Sequence, residues 1–451
     1  MESRMNIVFN VLIQAFRLDI FDLYYLGGNE SLKFLENNPA ILPRKGIFVR
    51  MGAYVVHFFQ EFRRSLLVKK IPEGATLFFV STRNQRDSVS SLASSVRQAV
   101  VVGEKCELVY YFPLFWAYLL ALPFLPWLCW RYLNAGEYHR KTFSYFADIY
   151  LLTYGYYLVG SFWLRKLKPT CLVTANDHNM QNRLMTNIVA EIGVPSVYLQ
   201  HASVTDKFPP LNFDYALLDG EDALQKYIKK GERKTTVYLI GIPKADAYAE
   251  AVNVSPSVKR LGVCCNMLDD EIAIENLCRE IVTRFPDLIV FLRPHPSDKR
   301  RFLLWRKMAA ALEMEYSNPL KESAFTFLGK IDAVIAGESN IHLEATLLDV
   351  YPLYYDFTGK ALDWYGFMKN GVIEYHADSE ALCQKISCLL QEKPSVRHRS
   401  KFYCHTVGTS YEWKSSQLAR ELIERIAAGV RVDGTPWRLL SGTKMRVFQI
   451  N

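Results

Sequence analysis

Short apolar runs that stop at a cluster of small, polar or cationic residues constrain this chain more than any other feature. Ile289-Val-Phe-Leu292 runs into Arg293, His295 and Ser297, and Ala333-Val-Ile-Ala336 runs into Gly337, Ser339 and Asn340. In an alternating α/β chain such runs are strands buried on both faces, the condition of a parallel sheet covered by helices on each side. Residues just past them line the crevice at the sheet's carboxyl edge, where open α/β sheets bind ligands. One strand end carries a guanidinium and an imidazole. The other carries a glycine turn, two short hydrogen-bonding side chains and the start of a helix bearing Glu344. Together they suit a phosphate and a ribose.

The pattern recurs along the chain. Strand-like runs fall at 46–50, 75–80, 170–174, 195–199, 214–218 and 236–240, with a helix over about 181–192 closed by Gly193. The run at 170–174 ends in Ala175-Asn-Asp-His178, and the run at 195–199 ends in Gln200-His201. Gly241-Ile-Pro-Lys244 reads as a hinge. A second α/β series follows: strands at 260–265, 289–292, 333–336 and 351–355, helices at 271–284, 299–312 and 341–348. An amphipathic helix is expected over about 415–428, and the tail after Gly429 has no clear pattern. The 451 residues suffice for two cores. The expectation is therefore an α/β protein of two Rossmann-like, doubly wound domains facing a central cleft, at 1–243 and 244–430, with a tail at 431–451.

Apolar residues make up 50% and charged residues 22% of the chain, the balance of a folded protein. A net charge of +8 fits an anionic ligand or an anionic membrane surface. Nucleic acid is set aside, because zinc-finger spacing, a Gly-aromatic RNA signature and a helix-turn-helix pattern are all missing. Nine cysteines at irregular spacing, none in a C-x-x-C pair, read as reduced thiols of a cytoplasmic protein. The apolar run 7–13 lacks a small-residue cleavage site and reads as a first strand or helix rather than a signal peptide.

From Leu108 to Trp130 no residue is charged. That meets the length rule of ~20 apolar residues for a membrane span. Prolines 113, 123 and 126 and many Trp and Tyr favour the bilayer interface instead, with Arg131, Arg140 and Lys141 available to anionic lipid. The stretch 145–164 contains Asp148 and reads as an amphipathic or core helix. Peripheral membrane contact by an insertion at about 108–164 is the expectation, ahead of a buried core and of a true span.

Each candidate site residue has a structural alternative. His295, between two prolines and flanked by Arg293 and Ser297, reads as phosphate-facing rather than as a packed core histidine, and would meet negative charge growing on a leaving phosphate. Ser339 and Asn340 could cap the helix that follows, which is compatible with anion binding at the same N–H groups. Glu344 is either a solvated helical carboxylate or a ribose acceptor. Asp177 is either a cap or a general base that deprotonates an acceptor hydroxyl. His201 could touch donor or acceptor, and Arg183 and Lys207 could hold anionic groups. No H-x-x-x-H spacing or strand-end Asp-x-Asp stands out, so metal-independent chemistry is expected. Without G-x-G-x-x-G or a Walker loop, dehydrogenase and P-loop readings fail.

These residues are similar to a known set. Leu199-Gln-His-Ala202 resembles the Gln-His-Gly turn of bacterial GT-B transferases, and Tyr238 to Lys244 resembles their interdomain link. Arg293-Pro-His-Pro296 resembles their His-Pro motif, and Glu338-Ser-Asn340 with Glu344-Ala345 resembles their Ser-rich turn and Glu-Ala helix. The group includes polysialyltransferases, Kdo transferases and the glycerophosphotransferases of teichoic acid and capsule synthesis. The resemblance covers about residues 170–425. It implies a cytidine-nucleotide donor, with His295 and Ser339 on its phosphate, Glu344 on its ribose and Asp177 as base, or as nucleophile in a retaining variant. Ala202 stands for the usual Gly, and Ser339 with Asn340 for a Ser pair. The resulting expectation is a metal-independent glycosyltransferase of bacterial capsule or lipopolysaccharide synthesis. It would take Kdo or sialic acid from a CMP-activated donor to a glycan or glycolipid acceptor, need no further cofactor, and sit at the inner face of the cytoplasmic membrane. The alternatives are a CDP-glycerol-type polyol phosphotransferase, a UDP-sugar variant, and a GT-B epimerase or non-catalytic partner subunit.

Overall fold

The computed structural model describes residues 4–23, 28–39, 42–65, 69–104, 108–231, 234–376, 378–440 and 445–450. In the second half of the chain, strands Arg260–Cys265, Ile289–Pro294, Glu315–Tyr316, Ala333–Ala336, Tyr351–Tyr355 and Glu374–His376 form one parallel sheet. Numbered in chain order they lie 3-2-1-4-5-6, the order of a doubly wound Rossmann sheet. Helices Glu271–Arg284, Phe302–Ala311 and Ser379–Gln391 bury Leu277, Trp305 and Ile386 on one face. Helices Ala324–Leu328 and Ile341–Leu347 cover the other with Phe327 and Leu343. The first and fourth strands pair through Cys264 and Ala336, so the carboxyl-edge crevice opens between these two.

The first sheet repeats that logic. Strands Thr76–Val80, Ala99–Gly103, Tyr110–Tyr111, Cys171–Thr174, Ser196–Leu199, Tyr215–Leu218 and Thr236–Leu239 lie 3-2-1-4-5-6-7, all parallel. Its crevice opens between Thr76–Val80 and Cys171–Thr174. The chain then returns to it. Arg446–Ile450 pairs parallel with Thr236–Leu239, and Trp437–Leu439 pairs antiparallel outside it. Helix Ser415–Ala427 buries Leu418, Leu422 and Ile423 in one cluster with Phe78, Val173 and Val197 of the first sheet. The expected second domain through 430 and the patternless tail are thus corrected: the stretch from about 415 belongs to the first domain. An amphipathic stripe must be buried, and the face it finds is that of the earlier sheet.

The N-terminal third is helical. The strand expected at 46–50 is the first turn of helix Ile47–Ser65, and 7–13 lies inside helix Arg4–Arg17. Aromatic and β-branched residues at 46–50 suit either state; the inward stripe through Tyr54 decides for a helix. Its support is helix Glu137–Leu167, a core element buried along most of its length. Asp148, the lone charge within 145–164, is met by Arg50 at 2.7 Å. At Gly155 a Cβ would strike the Ala117 carbonyl, so the glycine lets helix Leu114–Ala121 pack directly on the backbone.

Candidate functional site

At the crevice of the second sheet, loops 266–270 and 337–340 face one another. Asn266 Nδ2 donates to the Glu338 carbonyl at 3.0 Å, and the Asn266 N–H donates to Asp269 Oδ2 at 2.7 Å. Arg301 anchors the first loop by donating to the carbonyls of Asp269 and Asn266 at 3.0 and 2.8 Å. The other oxygen of Asp269 is buried with no partner among the described residues, and burial pushes its carboxyl up to about 6. It lies beside Gly337, where a Cβ would come within 3.0 Å of it. The Gly337 carbonyl accepts from Nε2 of fully buried His342 at 2.9 Å, and burial lowers that imidazole to about 4.

His295 stands at the end of the second strand, half-buried. Its Nδ1 accepts from the Ser297 N–H at 3.1 Å, so in the neutral ring the proton sits on Nε2. Burial lowers its pKa, with Asp298 opposing and Arg293 adding to the shift. The Ser297 side chain is exposed. Ser339 Oγ accepts from the Ile341 N–H at 3.3 Å, a local cap. Arg293 departs from expectation. Its guanidinium donates to Ser317 Oγ at 2.6 Å and the Glu322 carbonyl at 3.0 Å, and lies 5.1 Å over the Phe327 ring. It is 6% exposed and braces the sheet edge instead of facing a phosphate.

On the first sheet, Asp177 lies at the crevice, but behind its neighbour. Its Oδ2 accepts from Tyr227 Oη at 2.5 Å and its Oδ1 meets His178 Nδ1 at 3.0 Å. The side chain of Asp177 is 1% exposed, that of His178 41%. Asn176 Nδ2 lies 3.2 Å from His178 Nε2. A buried carboxylate on Nδ1 orients an imidazole and sets its tautomer with the lone pair on Nε2, the arrangement of a His–Asp base. The reading of Asp177 as the open base is corrected accordingly: the group in reach of solvent is His178. His201 has Nδ1 buried without a partner among the described residues. Burial, then Lys244 and His178, lower its pKa to about 4, while Asp177 and the Ala175 carbonyl oppose. With Gln200, Asp219, Pro243 and Lys244 it lines a small cavity at the hinge. Burial raises Asp219 well above the usual carboxyl range.

The two edges touch. Ser203 Oγ donates to Asn340 Oδ1 at 2.5 Å, and Lys244 Nζ donates to Glu344 Oε1 at 2.5 Å. Glu344 therefore offers one oxygen to a ligand, not two. Lys226 adds a third tie, donating to the Tyr365 carbonyl at 2.8 Å. The remaining cationic candidates are engaged elsewhere. Arg183 binds Asp22 at 2.9 Å and the Asp177 carbonyl at 3.3 Å, and Lys207 lies over the rings of Phe34 and Trp364 at 5.3 and 5.8 Å.

Four residues escape a reading of the sequence as site residues: His178, Asp219, Lys244 and Asp269. Asp219 was findable, since Leu217-Leu218-Asp219-Gly220 ends a strand by the rule that located Asp177. Lys244 closes the hinge and could have been read as its charged contact. Asp269 follows a strand only after three residues, and nothing local brings it beside Gly337.

Neither a protein-family model nor a curated protein sequence matches the chain. Solved structures do match in shape. A Staphylococcus aureus MnaA–UDP complex superposes with TM-score 0.52 at 13% identity, covering 80% of this chain and 98% of its own. A UDP-N-acetylglucosamine 2-epimerase gives TM-score 0.52 at 12% identity, covering 82% and 100%. A variant of the wall teichoic acid polymerase TagF soaked with CDPG gives 0.50 at 11% identity, covering 85% and 98%. Likeness at this identity speaks to architecture, and the architecture is that of the GT-B fold, two Rossmann-like domains facing a cleft.

Proposed function

We propose that the chain is a metal-independent transferase of bacterial surface polysaccharide synthesis that moves a group from a cytidine-nucleotide donor to a hydroxyl of a glycan or glycolipid acceptor. The observation that carries this reading is a histidine at each of two sheet edges that meet through Ser203–Asn340 and Lys244–Glu344: His178, backed by Asp177, and His295 with its proton held on Nε2. The acceptor hydroxyl displaces the Asn176 amide from His178 Nε2 and gives its proton to that nitrogen as its oxygen bonds to the donor's electrophilic atom. The bond from that atom to the departing phosphate oxygen breaks, and the electron pair left on the CMP phosphate is met by His295 Nε2–H. Ser339 and the Gly337 backbone approach the same phosphate. The free oxygen of Glu344 accepts from a ribose hydroxyl.

Two donors fit, and both release CMP. With CMP-activated Kdo or sialic acid, the reading made from sequence, the acceptor attacks carbon. With a CDP-polyol it attacks phosphorus, a reading supported by the likeness to TagF soaked with CDPG. Calorimetry with CMP, CDP and UDP tests the nucleotide, and tighter binding of UDP would turn the reading toward the UDP-sugar epimerases. A CMP-release assay with each donor and phosphorus NMR of the product then separates the two, because only the polyol transfer leaves phosphate in the product.

A further inference from the structure

We propose that the N-terminal helices form a face that docks flat on an anionic lipid bilayer. The face is assembled from three separate segments: helix Arg4–Arg17, helix Ile47–Ser65 and the stretch Leu114–Leu133. They lie side by side over helix Glu137–Leu167. Phe58 and Phe62 each pack 5.2 Å from Phe115, and Phe16 packs 4.8 Å from Phe124 and 5.7 Å from Trp127. Ring contact on both flanks makes the surface continuous.

What it turns outward is apolar and large. Phe48 is 93% exposed, Leu133 72%, Phe9 64%, Phe59 61%, Trp116 53% and Trp130 50%. Soluble monomers rarely leave a contiguous apolar surface of this kind uncovered. The stretch 114–133 is long and apolar enough to cross a membrane, yet its geometry opposes crossing. Leu114, Ala117, Tyr118, Ala121, Phe124 and Leu128, spaced by three and four, are buried against the protein. A 3-10 turn at Leu122–Phe124 interrupts its α-helical hydrogen bonding. One side is committed to the core, so only the other side can enter lipid, which is the geometry of an in-plane interfacial element.

Charge selects the occupant. Within the three segments Arg50, Arg64 and Arg131 are paired with Asp148, Glu61 and Asp19, and the segments themselves carry one acid, Glu61. Glu61 is buried and held by Arg64 at 2.5 Å. Arg17 and Arg63 lie exposed in the last turns of their helices, beside the apolar surface. Aromatic and aliphatic groups with arginines at the margin, and no exposed acid within the segments, match a negatively charged headgroup layer. This inference stands apart from the reaction proposed above.

The test is flotation of the full-length protein with vesicles of phosphatidylglycerol and of phosphatidylcholine, at low and high salt. Binding is expected on phosphatidylglycerol, weaker with salt and weaker on phosphatidylcholine. Phe48→Glu with Phe59→Glu and Trp116→Glu is expected to reduce partition at least ~tenfold with the melting temperature preserved. Where that variant fails to fold, quenching of the parent's tryptophan fluorescence by brominated lipid gives the same answer. Failure to bind or be quenched by either vesicle would overturn the proposal. So would a stable dimer of the parent that the variant dissolves, since the face would then join two copies of the chain.

Discussion

The Lys244 ammonium lies 2.5 Å from the Glu344 carboxylate, tying the end of the interdomain hinge to the helix that faces the cleft. Lys244 is 30% exposed and Glu344 11%, so the pair is partly screened. Lys244→Met leaves a nearly buried carboxylate uncompensated, and stability is expected to fall by about 1–3 kcal/mol. CMP affinity, read by calorimetry, is expected to weaken about tenfold as Glu344 loses its orientation. Unchanged affinity would reduce the pair to a latch between domains.

The proton on His295 Nε2 is set by the Ser297 N–H on Nδ1. Removing such a donor to a developing oxyanion costs about 10²–10³-fold in turnover, and His295→Ala is expected to show that loss with its melting temperature preserved. Steady-state CMP release is the readout. Parent-like turnover would remove His295 from the reaction.

His178 and Asp177 act as a unit, so their variants should differ in kind. His178→Ala is expected to lower kcat by about 10²–10⁴-fold, the range for loss of a general base. Asp177→Asn keeps the imidazole but disturbs its tautomer, so kcat falls with little change in KM. Tyr227→Phe removes one bond to Asp177 and is expected to lower kcat slightly. If Asp177→Asn left kcat as in the parent, the carboxylate would serve only the local fold.

Burial holds His342 neutral, with its pKa lowered from the usual 6.5 to about 4. The unfolded chain takes up this proton at higher pH than the folded one. The contribution of His342 to stability is therefore complete above 6.5 and is lost as pH falls toward 4. The cost of His342→Gln, from urea unfolding, is expected to be greatest at neutral pH and to shrink by up to about 3 kcal/mol on acidification. A cost independent of pH would mean that the imidazole titrates normally in the fold.

Gly241 has φ +78°, and a Cβ there would land on the hydroxyls of Thr406 and Ser415, where the returning chain packs against the hinge. Both the left-handed backbone and the lack of room exclude a side chain. Gly241→Ala is expected to lose about 2–4 kcal/mol, seen as a clear fall in the calorimetric melting temperature. A parent-like melt would show that the hinge opens freely.

Much of the site was legible because it sits where local rules apply. Asp177, His201, His295 and the run from Gly337 to Asn340 all follow buried strands, and a strand's end is readable from the change in pattern at its last residue. Arg293 obeys the same rule yet faces away. A residue's position past a strand says nothing of where a long side chain finds its acceptors, and Ser317 and Glu322 come from another strand end and its loop. For His178 the signal was present in Asn176-Asp-His178, but which of two adjacent side chains is covered depends on Tyr227, fifty residues on.

The sequence by itself determined the alternation of strand and helix, the doubly wound class of both halves and the strand ends that face the cleft, because period and punctuation are properties of short segments. Tertiary structure alone decided strand order, and with it the meeting of Asp269 and Gly337 across the crevice of the second sheet. It also decided that the chain from Ser415 returns to the first sheet, and that Phe16 and Phe58, from two separate helices, both pack on the stretch Leu114–Leu133. Each of these rests on contacts between segments far apart in the chain, where the burial of one surface is settled by what another leaves uncovered.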